Sequence, residues 1–70
     1  MFWDKQELIL STDKNKREKI IVSKCERQNK EYLDFRTHIY IDDKFVPSSK
    51  GFTLEFNKAK DFLSEIIEKI

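Results

Sequence analysis

The chain has 70 residues, 39% of them charged and 39% apolar, with one glycine, one proline, one cysteine and one histidine. Such a length holds about one small domain with a marginal core, and the composition excludes a disordered tail, a low-complexity linker, a disulfide framework and a cysteine-based zinc site. The formal charge of +1 is unevenly laid out: residues 14–30 hold Lys14, Lys16, Arg17, Lys19, Lys24, Arg27 and Lys30 against Glu18 and Glu26, a net +5, while residues 31–43 hold Glu31, Asp34, Asp42 and Asp43 against Arg36, a net −3.

In chain order, Phe2 and Trp3 come first, an aromatic pair expected to pack over a sheet edge or a dimer seam, with base stacking as the other reading. Glu7 to Thr12 is a short apolar run that ends in turn formers and predicts a strand. Asp13 to Lys16 reads as a polar hairpin turn. Lys19 to Arg27 is β-branched at its start and polar at its end, a second strand that leaves the core as it runs. Gln28-Asn29-Lys30 is the next turn, with Asn29 suited to a positive φ.

Glu31 to Ile41 has the clearest period. Leu33, Phe35, Thr37, Ile39 and Ile41 fall on one face, and Tyr32, Asp34, Arg36, His38 and Tyr40 on the other. Strict alternation marks a half-buried antiparallel strand. Asp42-Asp43-Lys44 opens a loop, Pro47 to Gly51 is a second loop feature, and Phe52 to Leu54 is a short strand.

From Phe56 the period lengthens. Phe56, Ala59, Phe62, Leu63, Ile66, Ile67 and Ile70 recur at spacings of three and four, which predicts an amphipathic helix with Glu55 or Asn57 as its N-cap. The fold class is α+β, ββββα, with residues 1–70 as a single domain. The apolar stripe continues to Ile70, more than one small sheet can cover, so a homodimer is expected to bury Phe62, Ile66, Ile67 and Ile70.

Catalysis is not expected. His38 lacks an oriented nucleophile, Cys25 reads as a structural thiol, and the adjacent carboxylates of Asp42 and Asp43 read as solvated. No glycine-rich phosphate loop is present, and neither a metal nor a cofactor is expected. Asp4, Lys5 and Glu7 stand where a secretory signal would be apolar, and no run approaches the roughly 20 apolar residues of a membrane span. A cytoplasmic, intracellular chain without a membrane partner is the expectation.

The polar face of the third strand carries a planar cation, Arg36, among the rings of Tyr32, His38 and Tyr40. Groups on one face recur about every 7 Å, an arrangement suited to a single strand held by phosphate contacts and base stacking. Asp34 is the expected bidentate partner of Arg36. The basic residues Lys14, Lys16, Arg17 and Lys19 would add phosphate contacts.

The stretch Tyr32-Leu33-Asp34-Phe35-Arg36-Thr37-His38, then Pro47-Ser48-Ser49-Lys50-Gly51-Phe52-Thr53-Leu54, then a terminal amphipathic helix, resembles the transcriptional coactivator family called positive cofactor four. The resemblance covers residues 19–70. It implies a strongly curved antiparallel sheet, a helix-mediated symmetric homodimer and non-enzymatic, largely sequence-independent binding of single-stranded DNA. It implies that Arg36 and Lys50 lie at the DNA, that Lys30 is the basic residue of the preceding hairpin, and that His38 stands where the family has Tyr or Trp. Ser49 replaces a basic residue of the family pattern, and the lack of a long Ser-rich tail looks more like a bacterial or phage member, nucleoid-associated in such a cell. The process served is transcription, replication or recombination. The competing readings are a protein–protein module that recruits a polymerase or replication partner, and an RNA-binding protein using the same face.

Overall fold

A computed structural model of the chain describes residues 2–70. Four strands and one helix follow in order: β1 (Lys5–Asn15), β2 (Glu18–Arg27), β3 (Lys30–Ile41), β4 (Lys44–Glu55) and α1 (Phe56–Lys69). The strands form one antiparallel sheet in the order β1-β2-β3-β4, so β1 and β4 are its edges. The ββββα class and the curved four-stranded sheet are as expected from the sequence. The molecule is 36 × 35 × 17 Å, the thickness of a sheet carrying one helix layer.

Two of the hairpin turns are two-residue turns with both central residues at positive φ: Gln28 (51°) with Asn29 (65°), and Asp42 (51°) with Asp43 (67°). This geometry matches the right-handed twist of the flanking strands. Asn and Asp accept it readily, whereas Gln28 takes it at a cost. The first hairpin turns at Lys16 and Arg17, where the Asn15 Oδ1 accepts from the Arg17 N–H at 2.9 Å. β1 carries two irregularities, between Leu8 and Leu10 and between Asp13 and Asn15, which leave Ile9 and Lys14 as extra residues and add bend to the edge.

The expected loop at Pro47–Gly51 followed by a short strand is corrected by the structure, which has one twelve-residue strand through the whole segment. Arg36 pairs with Gly51 and His38 with Pro47, so Ser48, Ser49 and Lys50 stand opposite Thr37 alone as a wide bulge. Pro47 is tolerated because β4 is an edge strand and loses little with one N–H. Gly51 is required by close approach: a Cβ there would lie 2.9 Å from the Arg36 Cα and nearer still to the Phe35 carbonyl oxygen. The bulge therefore presses the β4 backbone against β3 beside Arg36.

Pairing places Tyr32, Asp34, Arg36, His38 and Tyr40 on one face with Lys19, Ile21, Ser23 and Cys25 of β2. The opposite face carries Leu33, Phe35, Thr37 and Ile39 with Ile20 and Val22. There Phe35 stacks on Phe52 at 4.7 Å, and Phe62 of α1 meets Phe52 edge-on at 6.2 Å. Ala59, fully buried, is the small residue that lets α1 lie down on β3 and β4. Glu55 occupies the N-cap position without a side-chain cap bond, and the Ile70 N–H closes the helix onto Ile66 O at 3.2 Å. Among the described residues the buried apolar core is Cys25, Leu33 and Ala59, while Leu8, Ile9 and Leu10 of β1 and the far stripe of α1 remain exposed.

Candidate nucleic-acid interface

Arg36 sits at the middle of the polar face. Its Nε donates to Asp34 Oδ2 at 3.2 Å and its Nη2 to Asp34 Oδ1 at 3.0 Å, the side-by-side pairing expected from the sequence. Its Nη1 donates to the Ser48 carbonyl oxygen in the bulge at 3.0 Å. These bonds use three of the five guanidinium N–H donors, leaving two for a ligand. Asp34 is buried at 5% exposure, and its Oδ1 also accepts from the Thr53 hydroxyl at 2.8 Å. The Ser48 hydroxyl donates to Thr37 O at 2.7 Å and accepts from the Lys50 N–H at 3.2 Å. Asp34, Thr53 and Ser48 therefore hold the guanidinium at one place and angle. The Asp34 hydrogen bond also raises the Arg36 pKa, which keeps the guanidinium charged.

Rings flank this cation along β3. Tyr32 lies toward the Gln28-Asn29 turn, His38 two residues beyond Arg36, and Tyr40 near the far end. Tyr32 to Tyr40 spans about 27 Å of extended chain. Burial is the main cause that lowers the His38 pKa below its usual value, with Asp34 raising it and Arg36 lowering it by less. His38 thus presents a neutral ring near pH 7. Burial likewise pushes the Cys25 thiol up to about 11, with Asp34 adding to the rise, so Cys25 is a protonated core residue as expected.

The basic residues divide by position. Lys14, Lys16 and Arg17 are exposed at the β1–β2 tip. Lys19 pairs with His38 on the polar face, with its Nζ 4.5 Å from the Phe45 ring centroid and 3.9 Å from Asp13 Oδ1. Lys50 lies in the bulge beside Gly51. Glu18, opposite Ile39, has its carboxyl held below the usual range by the Asn15 hydrogen bond first, with the charges of Lys14 and Lys50 adding less. Lys30 is apart from them, at the opposite end of the sheet opposite Arg27. The structure brings Lys19, Arg36 and His38 together, sets Lys14, Lys16 and Arg17 at the adjoining tip, keeps Lys50 in the β4 bulge, and leaves Lys30 distant.

Sequence reasoning missed three contributors to this face. Phe45 pairs with Tyr40 across the Asp42-Asp43 turn, their rings 5.1 Å apart. The signal was present, because a two-residue turn places the residues on either side of it opposite one another. Thr53 and Ser48 carried no such signal, since their roles depend on the bulge. Phe2 and Trp3 lie on the polar face against Tyr32, with 5.3 Å between the Trp3 and Tyr32 rings. Among the described residues no group of three or more His, Cys, Asp or Glu is placed to hold a metal ion, and no helix is long and apolar enough to cross a membrane.

The sequence matches no family model and no curated protein. The fold is similar to the crystal structure of a PC4 homolog from Burkholderia pseudomallei, at a TM-score of 0.81 and 19% identity, over 96% of this chain and 92% of that one. At that identity the likeness establishes a shared fold, a PC4-like ββββα unit.

Proposed function

We propose that this protein is a non-enzymatic single-stranded-DNA-binding protein that acts as a homodimer and reads backbone and base faces with little sequence preference. The observation that carries the proposal is the pre-oriented Arg36, fixed by Asp34 and Ser48 on a sheet face flanked by Tyr32, His38 and Tyr40. A cation with two donors to spare suits a phosphate, and the rings beside it suit unpaired bases. Lys14, Lys16, Arg17, Lys19 and Lys50 would supply the diffuse positive field, and Lys30 a contact at the other end. The similarity in fold to a PC4 homolog supports the reading. The process served is transcription, replication or recombination.

Dimerisation is supported by the apolar surface that one protomer leaves in water. Ile67 is 73% exposed and Ile70 96%, with Phe62 and Ile66 each more than two-fifths exposed. A second copy covering this stripe would add the core that three buried apolar residues cannot provide. Ile67→Asp is expected to give monomers by sedimentation and a lower melting temperature; an unchanged dimer would remove Ile67 from the interface.

The decisive experiment is fluorescence anisotropy of a labelled single strand of roughly 20 nucleotides, against its duplex and its RNA counterpart, at two salt concentrations. Tighter binding to the DNA single strand that weakens as salt rises supports the proposal, since counterion release sets that slope. Equal, weak or salt-insensitive binding would favour a protein–protein module, and preference for the RNA strand would favour an RNA-binding protein.

A further inference from the structure

Two hydrogen bonds set the course of the chain before β1. The Asp4 N–H donates to Glu26 O at 2.8 Å, and the Asp4 carboxylate accepts from the Gln28 N–H at 2.9 Å. Both partners belong to the end of β2 and its turn into β3, so Asp4 clips Phe2 and Trp3 over the polar face. Beyond the clip the side chains form a continuous series. The Arg27 guanidinium lies 3.9 Å from the Phe2 ring centroid, Phe2 meets Trp3 edge-on at 4.9 Å, and Trp3 lies tilted against Tyr32 at 5.3 Å. Each contact restrains the next, which limits the entropy left to lose when a ligand stacks on the indole.

Trp3 is only half-buried in this arrangement and borders two open grooves. One, of about 410 Å³, runs from Trp3 past Arg36 to His38 and Pro47. The other, of about 530 Å³, runs from Trp3 past Tyr32 and Arg27 to Lys58. Both exceed the volume of a nucleobase, and each contains an arginine within the same groove as the indole. An apolar ring beside a cation is the pairing that an unpaired nucleotide offers in reverse, a base face beside a phosphate. An apolar peptide side chain would fill the ring site and leave the arginine donors unused.

We infer that Trp3 is a base-stacking residue of this protein: clipped by Asp4 and backed by Tyr32, it takes an unpaired base in the groove shared with Arg36, whose free donors reach the adjoining phosphate. The inference rests on the proposed binding of a single strand and adds to it a residue from outside the sheet. The stacking surface begins on the chain before β1 and continues along β3 to His38 and Tyr40.

Trp3 is the sole tryptophan, so its emission reports on this site without a label. Titration of the full chain with an unlabelled thymidine single strand should quench that emission, saturating where anisotropy of the labelled strand saturates. Trp3→Ala should weaken binding about tenfold with an unchanged salt slope, and Trp3→Phe should lose about threefold or less, since a ring is kept and no charge is removed. Constant wild-type emission during binding that anisotropy detects would overturn the inference while leaving the binding reading intact. Wild-type or tighter affinity in Trp3→Ala would overturn it equally, the tighter result making the arm a cover. Absence of anisotropy change in the wild type would overturn the single-strand reading itself, and this inference with it. Should Trp3→Ala fail to fold, the wild-type emission and Trp3→Phe still decide the matter.

Discussion

Arg36 and the β1–β2 tip both present positive charge, and they are built in opposite ways. Arg36 is a part-buried guanidinium with three hydrogen bonds to two residues, one of them a carboxylate at 5% exposure. Lys14, Lys16 and Arg17 are exposed side chains at the β1–β2 tip. A fixed cation loses little freedom when it meets a phosphate, so it can set position and angle. A mobile cluster loses rotamer entropy on each contact and acts through its summed field, which salt screens. On the proposed binding of a single strand, register would belong to the sheet centre and attraction to the tip.

The largest effect expected from breaking this contrast is on stability. Asp34→Ala strands a part-buried guanidinium and the Thr53 hydroxyl together, and should cost about 3 kcal/mol. Urea denaturation would show this as a lower midpoint, and a loss below about 1 kcal/mol would mean that Asp34 is not the anchor of the site. Next comes binding. Arg36→Ala should weaken single-strand affinity more than about tenfold for every sequence and reduce the salt slope by about one, and Arg36→Lys should not restore it, because an ammonium cannot reproduce the fork. A loss confined to particular sequences would make Arg36 a base reader.

The tip should behave otherwise. Replacing Lys14, Lys16 and Arg17 together by Gln should leave the denaturation midpoint within about 0.5 kcal/mol of wild type while lowering the salt slope by about one per residue that meets a phosphate. An unchanged slope would remove the tip from the path of the strand. The smallest effect concerns His38, which faces Asp34 and Arg36 on its own strand and Lys19 and Pro47 on the neighbouring ones. Its pKa is lowered in the fold, so the unfolded chain takes up the proton first on acidification. The contribution to stability is therefore complete above the ordinary imidazole value of 6.5 and declines as pH falls below it. His38→Gln should flatten the corresponding part of the pH–stability curve, and an identical curve would show that another group governs it.

The contrast between centre and tip also divides what can be read from the sequence. The pairing of Asp34 with Arg36 follows from alternation, because residues two apart on a strand share a face and a carboxylate beside a guanidinium finds it. The bond from Arg36 to Ser48 does not follow. It depends on three residues of β4 standing opposite one of β3, and the Pro-to-Gly spacing that produces this looks locally like a loop. Gly51 is needed for the approach of a different strand, a requirement that its own neighbours in sequence do not announce.

The sequence by itself determined the four strands and the helix, the two faces of β3, the Asn29 turn and the inert setting of Cys25. These follow from local periodicity, turn chemistry and residue type, which act within a few residues. Only the tertiary structure decided that β4 runs unbroken through Pro47, that Thr53 and Ser48 hold the Arg36 site, and that Phe2 and Trp3 lie on the polar face. Each of these depends on contacts between distant parts of the chain, and an aromatic pair ahead of the first strand has no period from which its direction could be read.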